Sequence, residues 1–202
     1  MKRAGLVALL GVFCLPVFCS AAGVHVLTRL DGPSSVFVGE STSITVLAGV
    51  DQPLSPSDGI FTFDLDFIIN NLTGGGQLLA VTNITRPNVN DTLFSGSNGT
   101  PTAYGVASIR GGYLQDTLGV GPPTPLFTVT LQGVAPGTVQ LTPGPSVDPL
   151  GFDFVLYQST PANTTVTFDQ GVRLEVLIPE PGACAMGIGC LLVSLNRRRC
   201  RA

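Results

Sequence analysis

An all-β fold, built as an antiparallel sandwich, is the class this sequence predicts, and three observations carry the prediction. Glycine and proline together number 41 of the 202 residues while charged residues make up only 11%, a composition of many turns between short elements. Apolar residues recur with a period of two in several stretches, the spacing of a strand with one buried face. About nine such stretches are separated by turn signals, as in a sandwich. With a removable piece at each end, about 155 residues remain, enough for one domain to bury its own core.

Charge and cysteine placement narrow the function classes. Between Gly23 and Ile178 stand four basic residues, Arg29, Arg86, Arg110 and Arg173, against twelve acidic ones, so this body carries −8 where the whole chain carries −3. Phosphate binding needs clustered Lys or Arg, so nucleic acid is excluded as a partner. All five cysteines, Cys14, Cys19, Cys184, Cys190 and Cys200, lie in the terminal segments. The body therefore holds neither a disulfide nor a cysteine metal site, and its stability rests on packing.

The chain opens with Lys2 and Arg3, an apolar run from Ala4 to Phe18, and the small residues Ser20-Ala21-Ala22. This is the order of a secretory signal, which assigns residues 1–22 to a signal peptide with signal peptidase cutting between Ala22 and Gly23. Lipidation at Cys19 is the rival, disfavoured by the bulky Phe18 before it.

The body follows. Val24 to Leu27 reads as a strand with Val24 and Val26 on one face, and Asp31-Gly32-Pro33 as a turn. Ser35 to Glu40 leads into Ser43 to Ala48, where Ile44, Val46 and Ala48 alternate inward, and Asp51 to Gly59 is a loop. Gly59 to Phe67 is the clearest strand: Phe61, Phe63, Leu65 and Phe67 share one face, and Thr62, Asp64 and Asp66 the other, expected to point outward. Leu78 to Ile84 is a further strand, Arg86 to Pro101 a long exposed loop, and Tyr104 to Ile109 a strand. Arg110 to Pro125 reads as loop, Leu126 to Leu131 and Thr138 to Leu141 as strands, and a Pro-rich loop runs to Gly151. Phe152 to Tyr157, Thr164 to Phe168 and Val172 to Ile178 complete the set.

Val36-Phe37-Val38-Gly39-Glu40 ahead of an alternating strand, then Gly59 to Phe67, then Leu126 to Leu131 followed by Ala135-Pro136-Gly137-Thr138, resemble the cohesin-type domain. The resemblance covers residues 23–177 and implies a nine-stranded jelly-roll sandwich, related in shape to bacterial carbohydrate-binding modules. Asn70-Asn71 and the Arg86 to Pro101 loop depart from the family's pattern, so the resemblance carries the fold and not dockerin binding.

Catalytic anchors are scarce. His25 is the only histidine and sits two residues from the expected mature terminus, a poor place to hold a triad imidazole. No G-x-S-x-G, H-E-x-x-H or phosphate-loop pattern occurs. No enzyme activity and no cofactor are expected. Asp64 and Asp66, roughly 7 Å apart on one strand face, are candidates for an acid and base pair or, more plausibly, for calcium, against the plainer reading of a solvated polar face. Asp58, Asp91, Asp116, Asp148 and Asp153 lie in or beside loops. With no tryptophan in the chain, Tyr113 is the candidate ring for stacking on a sugar.

The last 25 residues, 178–202, have three parts: Pro179-Glu180-Pro181, an apolar run of fourteen residues from Gly182 to Leu195, and the basic cluster Arg197, Arg198, Arg199 and Arg201. As a helix the run extends about 21 Å, short of a hydrocarbon core of about 30 Å, so a permanent transmembrane anchor is disfavoured. The positive-inside rule keeps the arginines cytoplasmic and leaves the proline pair outside. This order resembles the PEP-CTERM sorting signal of Gram-negative bacteria. The resemblance implies recognition of Pro179-Glu180-Pro181 by a membrane-embedded exosortase and passage from the inner membrane to the cell surface or extracellular matrix. Five Asn-x-Ser/Thr sequons begin at Asn71, Asn83, Asn90, Asn98 and Asn163; in a bacterium they read as turn composition. The leading expectation is an exported, non-catalytic sandwich for adhesion or assembly, its partner exopolysaccharide or another surface protein. A carbohydrate-binding module for exopolysaccharide is the alternative, and a secreted hydrolase a distant third.

Overall fold

The structure, a computed structural model, describes residues 24–87, 89–90, 96–147, 152–159 and 164–179. The Ala22-Gly23 junction, Glu180, Pro181, the apolar run and the arginine cluster lie outside the described residues, and so do the N-terminal signal helix and C-terminal hydrophobic helix expected to flank the sandwich. No helix among the described residues is long and apolar enough to cross a membrane.

Twelve strands form among the described residues: β1 Val24–Asp31, β2 Ser35–Phe37, β3 Ser41–Asp51, β4 Ile60–Asn71, β5 Leu79–Thr85, β6 Ser97–Thr102, β7 Gly105–Gly112, β8 Thr124–Gly133, β9 Gly137–Pro145, β10 Phe154–Leu156, β11 Thr164–Thr167 and β12 Val172–Leu177. They make two sheets, one ordered β11-β1-β3-β8-β5 and the other β2-β12-β9-β4-β7-β6, with β10 pairing β4. The pairing is antiparallel except at two edges, where β11 runs parallel to β1 and β2 parallel to β12. The all-β sandwich expected from the alternation is thus present, with twelve strands where about nine were expected.

The core lies between the sheets. Val24, Val26, Leu30, Ile44, Val46, Ala48, Val129 and Leu131 face Phe63, Leu65, Phe67, Ile109, Val139, Leu141, Leu174 and Val176, all buried. The alternating apolar positions of β1, β3, β4 and β8 are the inner faces of these strands. Burying Phe63, Leu65 and Phe67 contributes roughly 1.5–3 kcal/mol each before entropy is counted. Phe127 stacks on Phe63 across the interlayer at 6.0 Å. A register shift against β3 lets both Leu126 and Phe127 be buried although they are adjacent in sequence, the re-aiming a β-bulge provides.

Two expectations about loops need correction. Ser97–Thr102, expected up to Pro101 to belong to an exposed loop, is the edge strand β6, paired to β7 from Ser97↔Arg110 to Thr102↔Gly105. Its Ser-Asn-Gly-Thr-Pro-Thr sequence has no apolar alternation, because this edge strand is held by backbone pairing and polar contacts and not by an apolar face. Likewise β7 runs on to Gly112 and β9 to Pro145, beyond the points where glycines and prolines suggested loops.

Candidate functional site

Most of the polar residues singled out in the sequence serve the scaffold. Asp58 is fully buried, and its carboxylate accepts hydrogen bonds from Leu54 N–H (3.1 Å), Gln158 N–H (2.8 Å) and Ser159 Oγ (2.6 Å). It stitches the loop after β3 to the segment after β10. His25, the only histidine, has Nε2 2.6 Å from Thr167 Oγ1 on the neighbouring strand β11, so its ring helps hold a parallel edge.

Asp64 and Asp66 correct the expectation of an outward polar face. They do leave β4 on the side opposite the core phenylalanines, yet both are buried, at 2% and 9% exposure. Asp64 lies opposite Arg110 in the β4/β7 register, and Arg110 Nε donates to its Oδ2 at 2.7 Å; Oδ1 has no hydrogen-bond partner. Asp66 Oδ1 accepts from the Ser108 N–H at 2.8 Å. That amide is turned aside because β7 is out of register with β4 between Leu65 and Phe67 and Ser108 takes a positive φ of 55°, an uncommon conformation for a residue with a side chain. Asp66 thus satisfies a donor that the irregularity removes from the ladder.

Asp153 joins this acidic group from the segment before β10. Its backbone carbonyl accepts from Asp64 N–H (2.9 Å) and its Oδ1 from Ser146 N–H (3.1 Å). Burial pushes its carboxyl up, the Ser146 amide opposes that rise, and the charges of Asp64 and Asp66 add to it. Among the described residues no group of three His, Cys, Asp or Glu side chains is arranged to hold a metal ion. Asp64 is paired with Arg110 and Asp66 with the Ser108 amide, so both carboxylates help hold β4 to β7.

Tyr113 is also relocated. Expected in an exposed loop, it is 1% exposed, its ring 6.0 Å from Phe63 and its hydroxyl donating to the Pro125 carbonyl at 3.3 Å. Burial pushes its phenol well above the usual tyrosine range. Such a ring cannot stack on a ligand.

The most exposed aromatic ring among the described residues is Tyr104, ahead of Phe37 and Phe152. It lies at 74% exposure in the two-residue turn between β6 and β7. Its carbonyl accepts from Ile69 N–H at 2.7 Å, and its N–H donates to Thr102 Oγ1 at 3.2 Å. The following Gly105 has a φ of +134°, and a Cβ there would stand 1.8 Å from the Phe67 carbonyl oxygen, so only glycine fits this close approach. The ring borders a cleft of about 490 Å³ between the β6–β7 hairpin, the end of β4 and the start of β5. The cleft opens where the edge strands of the two sheets, β5 and β6, separate. Asn71, Gln77 and Thr102 are its polar lining residues and Ile69, Leu78 and Leu79 apolar ones, and none of the described residues that line it is charged. Sequence reasoning missed Tyr104 by treating it as the first residue of a strand. The signal was Pro101 and Gly105 on either side, which mark a turn.

Of the C-terminal motif, Pro179 is described and exposed, just after β12. Among the sequons, Asn71 Nδ2 donates to the Gly76 carbonyl and Asn98 Oδ1 accepts from Arg86 Nε at 2.7 Å, so both amides serve local structure.

No protein-family model and no curated protein matches the sequence. Solved structures similar to the chain include the following two. One is the cohesin module of a family 33 glycoside hydrolase from Clostridium perfringens, with 13% identity and a TM-score of 0.48 over 77% of this chain and 97% of that one. The other is CaCohA2 from Clostridium acetobutylicum, with 14% identity and a TM-score of 0.46 over 76% of this chain and 92% of that one.

Proposed function

We propose that this is an exported, non-catalytic surface or matrix protein whose β-sandwich mediates adhesion or assembly, sent to its place by its C-terminal segment. The observation that carries the non-catalytic part is the use of the reactive side chains. Asp58, Asp64 and Asp66 are buried in fold-holding hydrogen bonds, and His25 is engaged by Thr167. A general acid or base needs reach to a substrate in a cleft, and none of these four lines the cleft beside Tyr104.

Export rests on the signal-like residues 1–22 and on the Pro-Glu-Pro, apolar and arginine order of residues 178–202. Signal peptidase and an exosortase are the processing partners, the inner membrane is a transient location, and the cell surface or extracellular matrix is the destination. The exposed strand end at Leu177, Ile178 and Pro179 supports this reading by leaving the start of the motif clear of the sandwich. The test is protease shaving of intact cells of an exosortase-bearing host. The wild-type domain is expected to be shaved from the surface, and the variant with Pro179, Glu180 and Pro181 all replaced by Ala to stay cell-bound and protected. Equal shaving of both would sink the sorting role.

A further inference from the structure

The cleft beside Tyr104 combines three properties that together select a ligand class. The first is a planar ring offered to solvent on a fixed backbone. Tyr104 is held on both peptide groups, by Ile69 N–H and by Thr102 Oγ1, and Gly105 packs against the β4 backbone. A ring carried on a fixed backbone has less freedom to lose on binding than one on a mobile loop, which leaves more of the contact energy for affinity. The second is neutral polarity: among the described residues the lining has the Asn71 and Gln77 amides and the Thr102 hydroxyl and no charged group. Asn71 uses its Nδ2 on the Gly76 carbonyl, leaving its Oδ1 as an acceptor for a ligand hydroxyl. The third is the volume, about 490 Å³, within the range of small-ligand sites.

We propose that this cleft binds a stretch of uncharged saccharide, with one pyranose ring laid on Tyr104 and its hydroxyls bonded to Asn71 and Gln77. A sugar ring presents C–H groups on its faces and hydroxyls around its rim, which matches an aromatic plane flanked by neutral amides. An acidic polysaccharide is disfavoured, because the described lining offers no cation and the body around it carries a net −8. An extended peptide added to the edge of β5 is disfavoured too. β5 shifts register against β8 between Val81 and Asn83, with Thr82 Oγ1 bonded to the Thr130 carbonyl, and such an irregularity breaks the regular edge that strand addition needs.

The assignment rests on the domain being a non-catalytic surface module, and its test separates the two. The full chain is run in native gels containing soluble neutral β-glucan, mannan or galactan, with alginate and an unstructured peptide library as competitors. Retardation by at least one neutral polysaccharide is expected. Tyr104→Ala is expected to weaken it about tenfold, Gln77→Ala to weaken it less, and Tyr104→Phe to retain it. Thermal unfolding of all three variants is expected to match the wild type, because both Tyr104 and Gln77 are exposed. No retardation by any neutral polysaccharide, wild-type binding by Tyr104→Ala, binding of alginate alone, or displacement by peptide would each overturn the assignment. Loss of binding with normal surface display removes the saccharide site and leaves the surface module standing; binding by a chain that never reaches the surface does the reverse.

Discussion

Arg110→Ala is expected to be one of the most damaging changes to a partly exposed residue. The Asp64 side chain is 3% exposed and that of Arg110 25%, so the 2.7 Å contact lies largely out of water and is weakly screened. Removing the guanidinium strips Asp64 Oδ2 of this donor while Oδ1 already has none. Breaking a buried pair from one side costs about 3–5 kcal/mol because the remaining charge is left without compensation. For a domain of this size each kcal/mol shifts the midpoint by roughly 2–4 °C, so a fall of about 6–20 °C is expected. Thermal unfolding followed by far-ultraviolet circular dichroism at pH 7 measures it. The double variant Asp64→Leu with Arg110→Met removes both charges together and is expected to recover most of the loss. A fall under about 2 °C for Arg110→Ala, or a double variant no better than the single one, would refute the reasoning from buried charge.

Asp153 gives a prediction with a definite pH sign. Its carboxyl is raised in the fold, so the native state holds the proton more tightly than the unfolded chain. That contribution is complete below the unfolded value and is lost as pH rises through the folded one. Asp153→Asn, which keeps an acceptor for Ser146 N–H, is therefore expected to raise the midpoint at pH 7 and to do so less at pH 3; a larger gain at pH 3 would contradict it. Tyr113→Ala should cost about 3–5 kcal/mol in urea titration, the loss of a core aromatic, where a mere surface ring would cost little. Gly105→Ala should abolish stable folding or lower the midpoint sharply, because its Cβ meets the Phe67 carbonyl at 1.8 Å. Chelation of calcium is expected to leave the midpoint unchanged, and a fall would restore Asp64 and Asp66 as ligands.

The inner faces of the sandwich were legible because period-two alternation has a direct physical cause, seen in Ile44, Val46 and Ala48 and in Phe63, Leu65 and Phe67. Asp64 and Asp66 also occupy alternate positions, but alternation gives the side of the strand and not what covers that side. Their burial depends on Arg110, forty-six residues from Asp64, and on the segment carrying Asp153, which no local pattern connects to β4. Tyr113 was misplaced for a related reason: glycines before it and prolines after it mark a loop, yet the ring turns back under Phe63. The edge strand β6 lacks a pattern because no hydrophobic face is asked of it. The cleft, finally, arises from the gap between β5 and β6, strands of different sheets, so it had no counterpart in the linear sequence. Tyr104 becomes conspicuous only once that gap is known.

The most direct test of the claim that this is a processed, exported surface module is the intact mass of the protein recovered from the surface of an exosortase-bearing host. A chain beginning at Gly23 and cut near Pro179-Glu180-Pro181, with the Ala-substituted variant found uncut in the membrane fraction, is the expected result. A surface form that still carries the apolar run and the arginines, with the same mass pattern and location in the variant, would contradict it.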